Sequence, residues 1–194
     1  MAARSGTKQK MLYGAVELLR ERGAAGVTVD AVLTRSQTPR GSVYHHFSGG
    51  RNQIIAEAVE LAGNAITAII DESVREGSVG ALRRFGAFWT QILHESDYAA
   101  GCPVVSVTVG GSEDDQQLIA AVADIFRRWQ DAVIRSLTAE GVEQARAARL
   151  ATMAIAAIEG AVILCRASRS TVPLDDVVSE LEVMLANSIR PRKV

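Results

Sequence analysis

Ten consecutive residues, Thr38 to Phe47, read TPRGSVYHHF and gather side chains suited to a polyanion: a fixed positive charge on Arg40 and hydrogen-bond donors on Ser42, Tyr44 and His45. Pro39 can open a helix, because its missing N–H falls where helix donors are orphaned anyway, and Thr38 can cap it. The expected helix therefore starts at Pro39. Val43 and Phe47, four residues apart, share its inward face and leave Arg40, Ser42, Tyr44 and His45 pointing out. The free N–H groups from Thr38 to Gly41, with the positive end of the helix dipole, suit phosphate. A short helix of this kind, entered by a tight turn from an earlier one, can lie in a DNA major groove with its first residues at the base edges.

Other elements must hold that helix in place. From Thr7, apolar residues at Met11, Leu12, Ala15, Leu18 and Leu19 follow helical spacing, and Gly23 supplies a stop. Thr28 can cap a second helix, with Asp30 in its first turn and Val29, Val32 and Leu33 facing inward. The Thr28 hydroxyl serves as a cap, and a phosphate contact is open beside that role. Met1 to Gly6 reads as a flexible arm; its Arg4, with Lys8 and Lys10, is either simply solvated or within reach of phosphate or the minor groove. After Phe47 the turn Ser48-Gly49-Gly50 leads into a long helix, Arg51 to Glu76. Arg51 sits at its positive end and calls for an anion, which a phosphate would supply. The apolar stripe of this helix runs past the first domain, so it is a connector able to carry a displacement to the recognition helix.

On these residues, about 7 to 55, the chain resembles the N-terminal DNA-binding domain of the TetR family of transcriptional regulators, and PRGSVYHHF followed by GGR looks most like the LmrA/YxaF-like subgroup of drug-responsive repressors. The resemblance implies an all-α fold with a three-helix helix-turn-helix domain over residues 1–50 and a helical ligand-binding and dimerisation domain over residues 51–194. It also implies a homodimer on a palindromic double-stranded DNA operator, repressing neighbouring genes until a small apolar ligand releases it. Arg40 is expected to read base edges with Ser42 and Gln37 assisting, while Tyr44, His45, Lys8, Thr28 and Arg51 hold phosphates. Thr38 and Gly41 complete the DNA-binding set through the helix start. One residue departs from the pattern: the family usually has Gly where Gln37 stands. Positive φ there would strain Gln by ~1 kcal/mol, so a differently shaped turn is expected.

Bulk properties agree with this division. Residues 1 to 51 hold eight Lys or Arg against three Asp or Glu, a net +5, and residues 52 to 194 hold thirteen against nineteen, a net −6. A basic segment on an acidic chain fits a nucleic-acid footprint confined to one end, although solvated surface charge produces the same split. The chain has 194 residues, 48% of them apolar, which is ample for a core. The longest apolar stretch, Ala154 to Cys165, is interrupted by Glu159 and Gly160, so no membrane span is expected. No apolar signal core follows the basic start, and two distant cysteines, Cys102 and Cys165, suit a reducing cytoplasm.

Further helices are expected over Val79 to Glu95, Asp114 to Ala139 (with Asp114 and Asp115 in its first turn) and Glu143 to Ser168, and from Pro173 onward. The run Val104 to Val109 reads as a short helix or an extended linker, since an isolated strand has no partner. Phe85, Trp89, Phe126 and Trp129, with Ile155, Ile158, Ile163 and Cys102, either line an apolar pocket or are plain core. Glu159, embedded in MAIAAIEGAVIL, needs a cation: Arg166, an arginine across a dimer, or a cationic ligand. The surplus apolar surface of the last two helices suggests a four-helix bundle across a two-fold axis, with packing inside one chain as the alternative.

Metal chemistry finds little support. His45 and His46 are adjacent and poorly placed to share an ion, and His94, Glu95 and Asp97 read as a solvated loop end. Cys102 is either packing or, with a lowered pKa, a sensing thiol. No phosphate loop, nucleophile elbow or pair of catalytic carboxylates is found, so neither an enzyme nor a cofactor is expected. The competing function is a helical small-molecule-binding or protein-docking module without DNA activity.

Overall fold

The structure, a computed structural model, describes residues 2–73, 76–110 and 116–189. Among them are nine α-helices and no strand, so the all-α expectation holds. Helix α1 (Ala2–Arg22) buries Met11, Ala15, Leu18 and Leu19, the i, i+4, i+7, i+8 stripe of one helical face. It begins earlier than expected, taking in Ala2 to Gly6, where a flexible arm was anticipated. The Arg4 side chain lies outside the described residues. Gly23 ends α1 with φ 71°, which costs glycine nothing, and a single 3-10 turn (Ala24–Gly26) follows.

Helix α2 (Val29–Ser36) starts where Thr28 accepts a hydrogen bond from the Ala31 N–H at 3.1 Å. Helix α3 (Ser42–His46) is shorter than the sequence suggested, and Pro39 does not open it. The Pro39 carbonyl instead accepts from the Ser42 N–H at 3.0 Å, three residues on, so Pro39 and Arg40 form a turn and Gly41 becomes the helix cap. Val43 and Phe47 are both 0% exposed, as their spacing required. Burying Phe47 contributes roughly 1.5–3 kcal/mol toward holding so short a helix.

Helix α4 (Gly50–Ser73) and helix α5 (Gly77–Glu95) are followed by α6 (Pro103–Gly110), which takes in the Val104 to Val109 run. Helix α7 (Gln116–Ala139) comes next, and the expected acidic turn at Asp114 and Asp115 lies outside the described residues. Helix α8 (Gln144–Ser168) is capped by Glu143, whose carboxylate accepts from the N–H groups of Ala145 and Arg146, and α9 (Val172–Ser188) carries a proline in its first turn.

By packing, the described residues form two units: Met1–Ala65 with Cys102–Ile125, and Ile66–Gly101 with Phe126–Val194. The first division falls at residue 65 rather than 50, because Ile54, Ile55, Ala58, Val59 and Ala62 of α4 are buried with the helix-turn-helix residues. Helix α6 joins this unit as well, packing on α1. In the second unit α9 packs on α5 and α8. A Cβ on Gly86 would come within 2.8 Å of Val178, so only glycine permits that approach of α5 to α9.

Gly50–Glu72 and Gln144–Ser168 are long and apolar enough to cross a membrane by length and composition alone. Neither is an uninterrupted apolar run: Glu57 and Glu60 break the first, and Arg149 and Glu159 the second. In α8 the surplus is partly exposed at Met153, Ile163 and Leu164.

Candidate nucleic-acid interface and apolar cavity

Helices α2 and α3 are joined through Gln37, which adopts φ 53° and ψ 41°. The turn therefore keeps its left-handed residue, with Gln in place of Gly, and is not reshaped as the sequence reading expected. Around it Arg40, Gly41, Tyr44 and His45 are exposed and Ser42 is half-buried, above an anchor made by Val43 and Phe47. Tyr44 is 70% exposed, high for an aromatic ring. The Thr28 and Gln37 side chains are exposed on the same unit. The Ser42 hydroxyl donates to the Pro39 carbonyl, and the Thr38 hydroxyl is paired with that of Ser36 at 2.8 Å, so both support the turn.

Arg40 is the exposed cation of this surface, with its side chain 81% accessible. It donates to Asp30 Oδ1 at 2.7 Å, a partner the sequence reading had placed only in the α2 dipole. Such an exposed pair contributes at most ~1 kcal/mol, so Arg40 can leave Asp30 for a base or a phosphate. Arg35 fixes α2 against α1 by donating to Glu21 at 2.9 and 2.7 Å and to Glu17 at 3.0 Å. The hydrogen bond from Arg35 holds the Glu21 carboxyl below its usual range, and the two glutamates raise the Arg35 guanidinium.

Two expected phosphate ligands are occupied inside the unit. Lys8 forms a 2.7 Å ion pair with Glu57 and lies 5.2 Å from the centre of the Phe47 ring. Arg51 donates from Nε to the Val27 carbonyl at 2.9 Å, from Nη2 to the Ala24 carbonyl at 2.8 Å and from Nη1 to Asn52 at 3.2 Å. The carbonyls of Ala24 and Val27, at the end of the 3-10 turn, take up part of its charge. Arg51 thus ties the start of α4 to the segment that leads into α2.

The second unit contains a cavity of about 70 Å³. Its wall is formed by Ile70 of α4; by Ser78, Ala81, Leu82 and Phe85 of α5; by Val133 and Ser136 of α7; by Ala154, Ile155 and Ile158 of α8; and by Leu185 of α9. Of the pocket candidates read from sequence, Phe85, Ile155 and Ile158 line it. Trp89 and Trp129 are buried core: Trp129 donates to the Thr67 hydroxyl at 3.1 Å and packs edge-on to Phe126, whereas the Trp89 indole N–H has no hydrogen-bond partner among the described residues. Ile163 is 52% exposed, and Glu159 is half-buried instead of enclosed, so neither belongs to the wall. Cys102 belongs to the first unit, beside Arg20, whose pKa is lowered by burial while Cys102 and Glu17 pull it the other way. The wall residues missed in the sequence are mostly small or aliphatic. Their one signal was a serine, at 78 and at 136, on otherwise apolar helix faces.

Comparison with known proteins agrees with this geometry. Residues 2–63 match the family of bacterial regulatory proteins called tetR, and residues 78–180 match the C-terminal domain described as transcriptional regulator LmrA/YxaF-like. An uncharacterised HTH-type transcriptional regulator of Mycobacterium tuberculosis is 38% identical over 192 residues, covering 96% of this chain and 98% of its own. The HTH-type transcriptional repressor DhaR of a Mycobacterium species is 23% identical over 183 residues, with 91% of each chain covered. In fold, a crystal structure of regulatory protein TetR from Rhodobacter sphaeroides superposes with a TM-score of 0.79 at 22% identity, over 90% of this chain and 96% of that one. A buried two-residue anchor under an exposed Arg-Gly-Tyr-His surface, with both halves of the chain matched in order, leads to one conclusion: the chain belongs to the TetR family of DNA-binding transcriptional regulators, with an LmrA/YxaF-like C-terminal domain.

Proposed function

We propose that the protein is a homodimeric, ligand-released repressor that binds a palindromic operator in the cytoplasm through two copies of α3. The observation that carries this reading is the exposed set Arg40, Gly41, Tyr44 and His45 over the buried Val43 and Phe47. Arg40 reads a base edge, Gln37 and Ser42 assist, and Thr28, Tyr44 and His45 meet phosphates, with Thr38 shaping the turn. Lys8 and Arg51 act from behind, holding α3 and α4. DhaR, a relative over nearly the whole chain, is named a repressor, which favours repression as the output.

Dimerisation is assigned to the outer faces of α8 and α9. Met153, Ile163 and Leu164 on α8 and Val172 and Val183 on α9 are each about half exposed, with values of 49 to 58%. Aliphatic side chains left in water at helical spacing on two adjacent helices favour a four-helix interface with a second copy. The effector site is assigned to the 70 Å³ cavity, because Ile70 on its wall lies on the same helix as Ile54 and Ile55 of the first unit. A ligand that displaces Ile70 can shift α4 and so alter the spacing of the two recognition helices, ideally about 34 to 36 Å apart.

The test is footprinting and gel shift on the DNA upstream of the gene. A protected palindrome occupied by a dimer supports the reading. A protein that stays monomeric at micromolar concentration, or is retained on no DNA at low salt, contradicts it and favours a ligand-binding or docking module.

A further inference from the structure

The chemistry of the cavity wall restricts what can occupy it, given the reading above that this cavity is the effector site. None of its lining residues is charged, and two are polar, Ser78 and Ser136. The Ser78 hydroxyl donates to Glu140 Oε2 at 2.6 Å while the Ser78 N–H donates to Oε1 at 2.6 Å, so the Ser78 hydroxyl is committed to Glu140, whose carboxylate meets the start of α5. Ser136 differs. It is 4% exposed, and no group among the described residues bonds its hydroxyl, which, unlike the fully enclosed Trp89 indole N–H, stays within reach of a molecule in the cavity. One half-turn on, Thr138 spends its hydroxyl on the Ile134 carbonyl at 2.9 Å, which is the usual local outlet for such a group in a helix.

An unpartnered hydroxyl in an apolar wall is a costly arrangement unless something in the cavity meets it. A charged guest would leave its charge uncompensated in the same wall, and a hydrocarbon would leave Ser136 unmet. The volume sets the size, since a dry cavity of about 150 Å³ accommodates benzene and this one is roughly half as large. We propose that the cavity takes an uncharged, mono-oxygenated short-chain organic molecule, or the end of one, held by a single hydrogen bond to Ser136. The chemical class is the small ketone, aldehyde or alcohol, with about four heavy atoms inside the wall. Cationic guests, which Glu159 suggested in the sequence, are excluded by a wall to which Glu159 does not contribute.

The experiment is a methyl NMR titration of the full chain, reading Ile70, Ile155 and Ile158, with four probes of matched size: 2-butanone, its carbon isostere 2-methyl-1-butene, butylammonium and butyrate. Both neutral probes are expected to shift these methyls and both ions to leave them unchanged. Replacing Ser136 by alanine should weaken 2-butanone by about three- to tenfold more than it weakens the alkene, the worth of one net hydrogen bond. Ser136→Cys, nearly isosteric and a poor donor, should give the same differential loss and guards against a change in cavity shape. Equal effects of both substitutions on ketone and alkene, or saturable binding of either ion, overturn the inference and leave the cavity as an effector site. Failure of both neutral probes to bind removes the effector-site reading itself, and the inference with it.

Discussion

Substituting Arg51 separates two roles for the same charge. Its guanidinium donates to the carbonyls of Val27 and Ala24, both on residues that are 0% exposed. Hydrogen bonds to a charged group contribute ~1.5–3 kcal/mol each, and partial exposure of the side chain places these two near the lower end. The Ala24 carbonyl keeps a second donor, the Val27 N–H at 3.1 Å, which softens its loss. Arg51→Ala should therefore destabilise the protein by about 2–3 kcal/mol, a fall in Tm of roughly 5–10 °C for a chain of this size. Arg51→Lys, able to reach only one carbonyl at a time, should fall in between. DNA binding measured by gel shift at several salt concentrations, at a temperature where the variant is folded, should keep its salt slope, since no phosphate contact has been removed. An unchanged Tm with a slope smaller by about one unit would mean that Arg51 holds a phosphate and that the internal bonds are incidental.

Arg40→Ala should cost about 1–3 kcal/mol on the operator and much less on random DNA, and equal losses on both in a competition gel shift would contradict base reading. Gln37→Gly should raise stability by about 0.5–1 kcal/mol in urea unfolding, because φ 53° is a left-handed position that glycine adopts freely; a loss would mean that the Gln37 side chain contributes more than its strain costs. Leu164→Glu should shift the protein from dimer to monomer in sedimentation, with little change in helix content, and an intact dimer would place the interface elsewhere. Acid stability should depend on Glu143 and Glu21, whose folded carboxyl pKa values are depressed, the first by the N–H groups of Ala145 and Arg146 and the second by Arg35. Their contribution is complete above the ordinary carboxylate value of about 4.3 and is lost as pH falls through the lower folded values, so Glu143→Gln should flatten the fall in urea midpoint below about pH 4.

How far the sequence could be read follows from how far each partner lies along the chain. Thr28 caps the Ala31 N–H three residues away, and Val43 and Phe47 meet the core on one helical face; both arrangements are written in local spacing, and both are seen. The start of α3 is equally local, but two signals compete there: Pro39 favours a first helical residue, while the turn closed by Ser42 on the Pro39 carbonyl takes the same atoms, and the turn wins. The internal bonds of Arg51 could not be read in advance because the carbonyls it donates to lie 24 and 27 residues back, beyond any periodic pattern. Of the large aromatic side chains, Phe85 reaches the cavity wall and the two tryptophans do not. Trp89 and Trp129 fill their surroundings and are at most 1% exposed, and the second is fixed by Thr67, 62 residues away. Space opens instead where Ala81, Ala154 and the two serines face Ile70 and Ile158, short side chains whose combined shortfall is set by the crossing of five helices. A void is a property of facing residues taken together, so no single side chain in the sequence announces it.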